Sequence, residues 1–198
     1  MISAVILAAG LSSRMSRPKQ LLPYAEHTVI EQVVSVLLAS PVDEVLVITG
    51  HQRLAVEARL AQWPVRTVFN PGYAEHEMLS SVQAGLEAVS AASQAALLAL
   101  GDMPAIEEAV ITQLVQAYHA AGDAFVYIPS YRGRAGHPVL VPQPYWQAIL
   151  SLSADDTLRS ILRADSTQVH WEVVHTPSVV RDMDTPADYA RELGSLKE

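Results

Sequence analysis

The sequence predicts an α/β fold, a single domain in which a mostly parallel sheet lies between two layers of helices as a Rossmann-like three-layer sandwich. Three observations carry this expectation. Four apolar runs short enough for buried strands, residues 2–7, 45–49, 65–69 and 95–100, alternate with helix-periodic segments, and that order specifies a parallel sheet. Every run ends in small or polar residues: Ala8-Ala9-Gly10, Thr49-Gly50, Asn70 and Gly101-Asp102. Half of the 198 residues are apolar and only 17% are charged, so one domain can bury roughly 70% of its unfolded surface without disulfides or metal staples. Ligands of such sheets bind outside the carboxyl ends of the strands, which makes that edge the candidate site.

The first strand, residues 2–7, empties into Ala8-Ala9-Gly10 and then a polar tract with Arg14, Arg17 and Lys19. A glycine loop offers backbone N–H groups to a phosphorylated ligand, and the cations behind it offset the charge. Thr28 and Glu31 form a T-x-x-E capping box, after which Ile30, Val33, Val34, Leu37 and Leu38 share one helical face until Pro41. Residues 45–49 give the second strand, 51–61 a helix, and 65–69 a third strand closing at the turn Asn70-Pro71-Gly72. Residues 78–90 read as a helix, 95–100 as the fourth strand, and Val110, Ile111, Leu114, Val115 and Tyr118 as the next helix.

The second half is less regular. Residues 124–129 read as a strand, Tyr131 to Gly136 as a basic, flexible turn, and 139–141 as an antiparallel return after His137-Pro138. Short helices are expected around 145–150 and 156–163, and a late strand at 169–174. Thr185 is the expected N-cap of a closing helix, with Pro186 at its first position and Asp188 completing the cap.

Net charge is −8, which argues against a nucleic-acid polymer as partner but leaves a small anionic ligand open to a local cation cluster. With no cysteine there is no disulfide, thiolate zinc site or cysteine nucleophile. Met1 leads straight into the first strand without a basic n-region, and no apolar run approaches the roughly 18 residues of a membrane helix. A cytoplasmic protein without membrane contact is the expectation.

Neither common phosphate loop is present: Gly10 has no partner glycine ahead of Lys19, and a single glycine cannot make G-x-G-x-x-G. What the loop spells is L-A-A-G-x-S-x-R-M-x-x-x-K, from Leu7 through Gly10 and Arg14 to Lys19. Gly101-Asp102-Met103-Pro104, Gly136-His137-Pro138-Val139-Leu140 and Asp182-Met183-Asp184-Thr185-Pro186 follow in order over nearly the whole chain. Together these four segments resemble the MobA-like nucleotidyltransferases, and most closely the branch that makes the cytidylyl form of the molybdenum cofactor. The resemblance implies a nucleotide-diphospho-sugar transferase type of fold, with residues 1–122 binding nucleotide and 123–198 binding the acceptor.

It also implies Mg²⁺-dependent transfer of a nucleotidyl group from a nucleoside triphosphate, CTP by preference, to a phosphorylated pterin, with a molybdoenzyme or its chaperone downstream. Asp102 and Asp184 would hold the metal as hard oxygen ligands, with Asp182 a weaker contributor. Lys19 and Arg14 would offset charge on the leaving pyrophosphate and, with Asp102, form the catalytic group. Leu7, Ala8, Ala9, Gly10, Asn70, Ser80 and Gly101 would line the nucleotide, and Arg134, Gly136 and His137 the acceptor, with Arg132 nearby. The preference for cytosine rests on Ala9, where the guanylyl-transferring branch has glycine. Ser16 and Glu77 depart from the family pattern.

Bland readings stand beside these. Asp102 can serve as a turn former, Asp184 as part of the Thr185 cap, Asn70 as a turn residue, and Ser80 with Ser81 as a helix start. His51, His76, His119, His170 and His175 show no metal-ligand spacing and read as surface or packing residues. Guanylyl transfer to the same pterin, cytidylyl transfer to a sugar or polyol phosphate, and a nucleotide-binding regulator or chaperone are the alternative functions.

Overall fold

The computed structural model describes residues 1–196 apart from 13, 16, 75, 76, 154, 155 and 157–165. β1 (Ile2–Ala8) opens the chain, and a small antiparallel ribbon of β2 (Pro23–Tyr24) and β3 (His27–Thr28) leads into α1 (Val29–Ala39). Then come β4 (Glu44–Thr49), α2 (Arg53–Leu60), β5 (Arg66–Phe69), α3 (Glu77–Ala88), β6 (Ala95–Leu100) and α4 (Glu108–Ala121). The second half adds β7 (Val126–Tyr131), β8 (Arg134–Ala135), β9 (Val139–Pro142), α5 (Trp146–Leu150), β10 (Val169–Val173) and α6 (Pro186–Ser195).

All strands outside the small ribbon join one sheet in the order β10-β7-β9-β6-β1-β4-β5, with β8 paired on β7. β1 runs parallel to β4 and β6, β4 to β5, and β10 to β7, whereas β9 is antiparallel to both β6 and β7. Every strand of that order except β9 therefore points the same way, and their C-terminal ends share one edge. Period-two alternation sets the layers. Ile2, Ala4, Ile6 and Ala8 pack with α1, α2 and α4 on one face, while Val5 packs with α3 and α5 on the other. The three-layer α/β sandwich of the sequence reading is the observed fold.

The expected caps form. The Thr28 backbone N–H and hydroxyl both donate to Glu31, at 2.8 and 2.6 Å, and Thr185 makes the matching pair to Asp188 at 2.8 and 2.7 Å. Most expected boundaries shift by one or two residues, and three differences have a clear backbone cause. α2 begins at Arg53, not at residue 51, because Gln52 takes a left-handed φ of 57° and Gly50 bridges to it. The fifth strand of the main chain order starts at Val126, not 124, because Gly122–Ala124 make a 3-10 turn after α4. The basic turn is a hairpin: Ser130 and Tyr131 pair with Ala135 and Arg134 around Arg132 and Gly133, whose φ values of 50° and 78° suit the right-handed strand twist. The helix expected around 156–163 falls outside the described residues, Asp156 excepted. Among the described residues no helix is long and apolar enough to cross a membrane.

Candidate active site

The loops after β1, β4, β5, β6 and β7 meet along the shared edge. Their closeness follows from small residues. A Cβ on Gly50 would sit 2.7 Å from the Cβ and the carbonyl oxygen of Ala9, and the His51 N–H donates to that carbonyl at 3.1 Å. The Gly101 N–H donates to the Leu7 carbonyl at 3.0 Å, which seats Asp102 beside the first loop. By contrast, a Cβ on Gly10 would meet no heavy atom within 4 Å.

The first loop is braced by its own side chains. Ser12 takes a left-handed φ of 53°, and its hydroxyl accepts the Lys19 N–H at 3.1 Å. Gln20 is 5% exposed and donates to the Ala8 carbonyl at 3.2 Å, pinning the far end of the loop to the strand it left. Neither role is visible in a reading that follows cations and glycines. The sequence signal for Gln20 is a polar residue set directly before the apolar pair Leu21-Leu22, where only a partnered amide can be buried.

The cations of this loop meet carboxylates from two distant segments. Lys19 Nζ donates to Asp102 Oδ2 at 2.7 Å and to Asp184 Oδ1 at 2.8 Å, and an Arg14 Nη pairs with Asp184 Oδ2 at 2.7 Å. Asp184 is delivered by its neighbour. Met183 is fully buried in a cluster with Leu22, Tyr24 and Val29, and its N–H donates to the Asp102 carbonyl at 3.2 Å. Exposed Asp182 and half-buried Asp184 therefore flank a fixed anchor.

The titration behaviour reflects burial against pairing. Burial opposes the Lys19 ammonium, yet Asp102 and Asp184 outweigh it and leave its pKa raised. Burial raises the Asp102 carboxyl despite Lys19, helped by the negative charges of Asp182 and Asp184. Asp184 is more open, and the Lys19 hydrogen bond leads the effects that hold its pKa down. Two carboxylates that converge on one cation suit a divalent ion, since both offer hard oxygens and such ions need only one or two protein carboxylates. Lys19 Nζ is the stand-in cation that shows their reach.

The remaining expected residues lie on other loops of the same sheet edge or beyond it. Asn70 is 3% exposed: its amide donates to Ser80 at 2.8 Å and Ser81 at 3.1 Å, while its oxygen accepts from the Gly72 N–H at 2.9 Å. It thus joins the loop after β5 to the first turn of α3, which places Ser80 at the same edge. The Gly136 N–H bonds the Pro129 carbonyl at 2.8 Å, and the His137 N–H bonds the Val179 carbonyl at 2.8 Å. His137 and Pro138 share an apolar cleft with Ala99, Leu100, Met103 and Ile106, beside the Asp102 turn. Arg134 lies further out, on a groove of about 380 Å³ lined by Tyr131, Arg181, Asp182 and Arg191. Ser16 is outside the described residues, and Glu77 is the first residue of α3.

Residues 4–170 match the MobA-like NTP transferase domain. The chain is 29% identical over 191 residues to the molybdenum cofactor cytidylyltransferase of Escherichia coli K12, covering 95% of this chain and 93% of that protein. It is 30% identical over 190 residues to the nicotine blue oxidoreductase of Paenarthrobacter nicotinovorans, covering 93% and 92%. A nucleotidyl transferase from Methanothermobacter superposes with a TM-score of 0.86 at 28% identity, covering 100% of this chain and 98% of that one. A Mycobacterium tuberculosis H37Rv protein solved as a manganese complex gives 0.81 at 26% identity, covering 98% of each chain. By sequence and by fold alike, this chain belongs to the MobA-like NTP transferase family.

Proposed function

We propose that the protein transfers a cytidylyl group from CTP to molybdopterin or its molybdenum-loaded form, giving the cytosine dinucleotide cofactor and pyrophosphate. One observation carries the reading: Lys19, Arg14, Asp102 and Asp184 converge at the carboxyl edge of a parallel sheet, beside a glycine loop with open space at Gly10. In the reaction an oxygen of the acceptor phosphate forms a bond to the α-phosphorus, and the bond to the β-phosphate oxygen breaks as pyrophosphate leaves. Such transfer depends on positioning and charge neutralisation, not on covalent help from the protein.

Each residue then has a task. Ala8, Ala9 and Gly10 lie along the triphosphate, and Lys19 and Arg14 offset the charge that grows on the leaving pyrophosphate. Asp102 and Asp184 would hold Mg²⁺, which when bound would supply charge to neutralise the phosphates. Asn70 and Ser80 lie towards base and ribose, with Leu7 and Gly101 closing the floor of the nucleotide half. Gly136 and His137 face the acceptor from the second half, and Arg134 meets its phosphate. The preference for cytosine rests on Ala9 and on the cytidylyltransferase relative.

The test is a competition. Purified protein with Mg²⁺, molybdopterin and equal CTP and GTP should release pyrophosphate only when acceptor is present, and mass spectrometry should find the cytosine product. Asp102→Asn should abolish release. Equal turnover of all four triphosphates, or no pyrophosphate at all, would overturn the reading.

A further inference from the structure

We infer that Lys19 is a placeholder cation, which keeps the Asp102–Asp184 pair closed to divalent metal until a polyphosphate draws the ammonium away. The inference deepens the proposed function and rests on its assignment of metal to those carboxylates. Lys19 Nζ is within 2.7 Å of Asp102 Oδ2 and 2.8 Å of Asp184 Oδ1, and Arg14 takes Asp184 Oδ2 at 2.7 Å. Three of the four carboxylate oxygens are thus already bonded to cations. Asp102 and Asp184 face Lys19 and Arg14, so the paired charges cancel and only the nearby Asp182 is left to attract a dication. An entering ion would compete with Lys19 for Asp102 Oδ2 and Asp184 Oδ1, and would stand within a few ångströms of a like charge.

Lys19 is built to yield without unfolding the loop. Its backbone is fixed by the Ser12 hydroxyl and by the 3-10 turn Lys19–Leu21, while its side chain is a flexible four-carbon stem. A triphosphate offers that ammonium more negative charge than the two carboxylates do. When Lys19 turns to it, both carboxylates are released at the moment the metal is required. Metal and nucleotide then bind with positive coupling, and by linkage each tightens the other by the same factor. Metal without nucleotide is held weakly, so the pair is protected from idle occupation.

The experiment measures Mn²⁺ binding to the nucleotide-free protein, read from the loss of the free-ion spin-resonance signal. Lys19→Met should bind Mn²⁺ about tenfold tighter than the wild type, since one nearby positive charge is gone. Lys19→Arg keeps the charge and should bind as weakly as the wild type. Arg14→Met removes a side chain that is 66% exposed and paired with one carboxylate only, so its gain should be smaller, about threefold. Should Lys19→Met fail to fold by circular dichroism, Arg14→Met carries the test, and no gain there overturns the inference. Equal Mn²⁺ affinity in wild type and Lys19→Met, or a tenfold gain in Lys19→Arg, also overturns it. If pyrophosphate is released from CTP but Lys19→Met gains nothing, the inference alone fails. If Lys19→Met gains Mn²⁺ but no pyrophosphate is ever released, the proposed reaction fails and the placeholder role stands.

Discussion

Gly50 and Gly10 lie at the same edge of the sheet but are glycine for opposite reasons, and their alanine variants should separate packing from ligand approach. In Gly50→Ala the new Cβ would stand 2.6 Å from the Tyr73 Cβ and 2.7 Å from the Ala9 Cβ and carbonyl oxygen. Ordinary carbon contacts begin near 3.5 Å, so Ala9 must retreat by about 1 Å. That retreat also stretches the 3.1 Å bond from the His51 N–H to the Ala9 carbonyl. Overpacking of this kind costs about 1–3 kcal/mol, and a chain of this length loses about 2–4 °C in Tm per kcal/mol. Displacing the loop by about 1 Å should also lower pyrophosphate release about a hundredfold. Gly10→Ala meets nothing within 4 Å and has no left-handed φ to strain, so its stability should stay within about 0.5 kcal/mol of the wild type. If the open space above Gly10 is where phosphate lies, that variant should keep its Tm and still lose at least about tenfold in kcat/KM. Differential scanning calorimetry and a pyrophosphate-release assay on the two variants decide the matter. Gly50→Ala with an unchanged Tm would refute the packing account, and Gly10→Ala with full activity would refute the approach account.

Acid unfolding should begin as Glu44 and Glu31 take up protons. Burial pushes both carboxyls up, but Ser3, Arg66 and the Ser90 N–H hold Glu44 below its ordinary 4.5, and the Thr28 hydroxyl and N–H do the same for Glu31. Because the folded pKa values are the lower ones, this stabilisation is complete above about pH 4.5 and is lost as pH falls through them. Glu44→Gln should therefore flatten the acid limb of a Tm-versus-pH curve, and an unchanged limb would count against the pairing. Arg181→Ala should cost about 3–5 kcal/mol, because Glu192 is 2% exposed, pairs with Arg181 at 2.8 Å and would be left as a buried charge. Adding Glu192→Leu should recover most of that loss in chemical denaturation, and an additive double variant would show that the pair is not coupled. Met183→Ala should lose about 2–5 kcal/mol by cavity formation and lower kcat as well, because the anchor next to Asp184 is gone; a stability loss with full activity would refute the positioning role.

What the sequence made legible is what local physics decides. The apolar run at residues 95–100 is β6 without correction, and both T-x-x-E and T-x-x-D caps form as spaced, since each lies within four consecutive residues. The misplaced boundaries follow backbone conformations that side-chain patterns do not encode. Gln52, Ser12 and Arg132 are all left-handed without being glycine, held there by the bridge to Gly50, by the bracing of the first loop and by a hairpin turn. The site shows the same division. The motifs gave its members, but not that Lys19 bridges partners 83 and 165 positions away. The pairing of β1 with β6 brings the Lys19 loop to Asp102, while Asp184 follows no strand and is placed by the packing of Met183.

The convergence of charges is in the end a result of apolar packing. Leu22 continues directly from the turn that carries Lys19, and it shares a cluster with Met183, the residue before Asp184. The Met183 N–H completes the link by bonding the carbonyl of Asp102 itself. One small cluster therefore clamps the loop that brings the cation to both segments that bring the carboxylates. Burial of Met183 and Leu22 opposes separation of the charges, so the ion pairs need not hold the segments together by themselves. That division leaves the charges free to change partners, as a metal and a triphosphate would require, while the backbone stays in place. The hairpin around Arg132 and the outer groove at Arg134 lie outside this clamp. Substitutions on the hairpin can then leave the charged centre undisturbed.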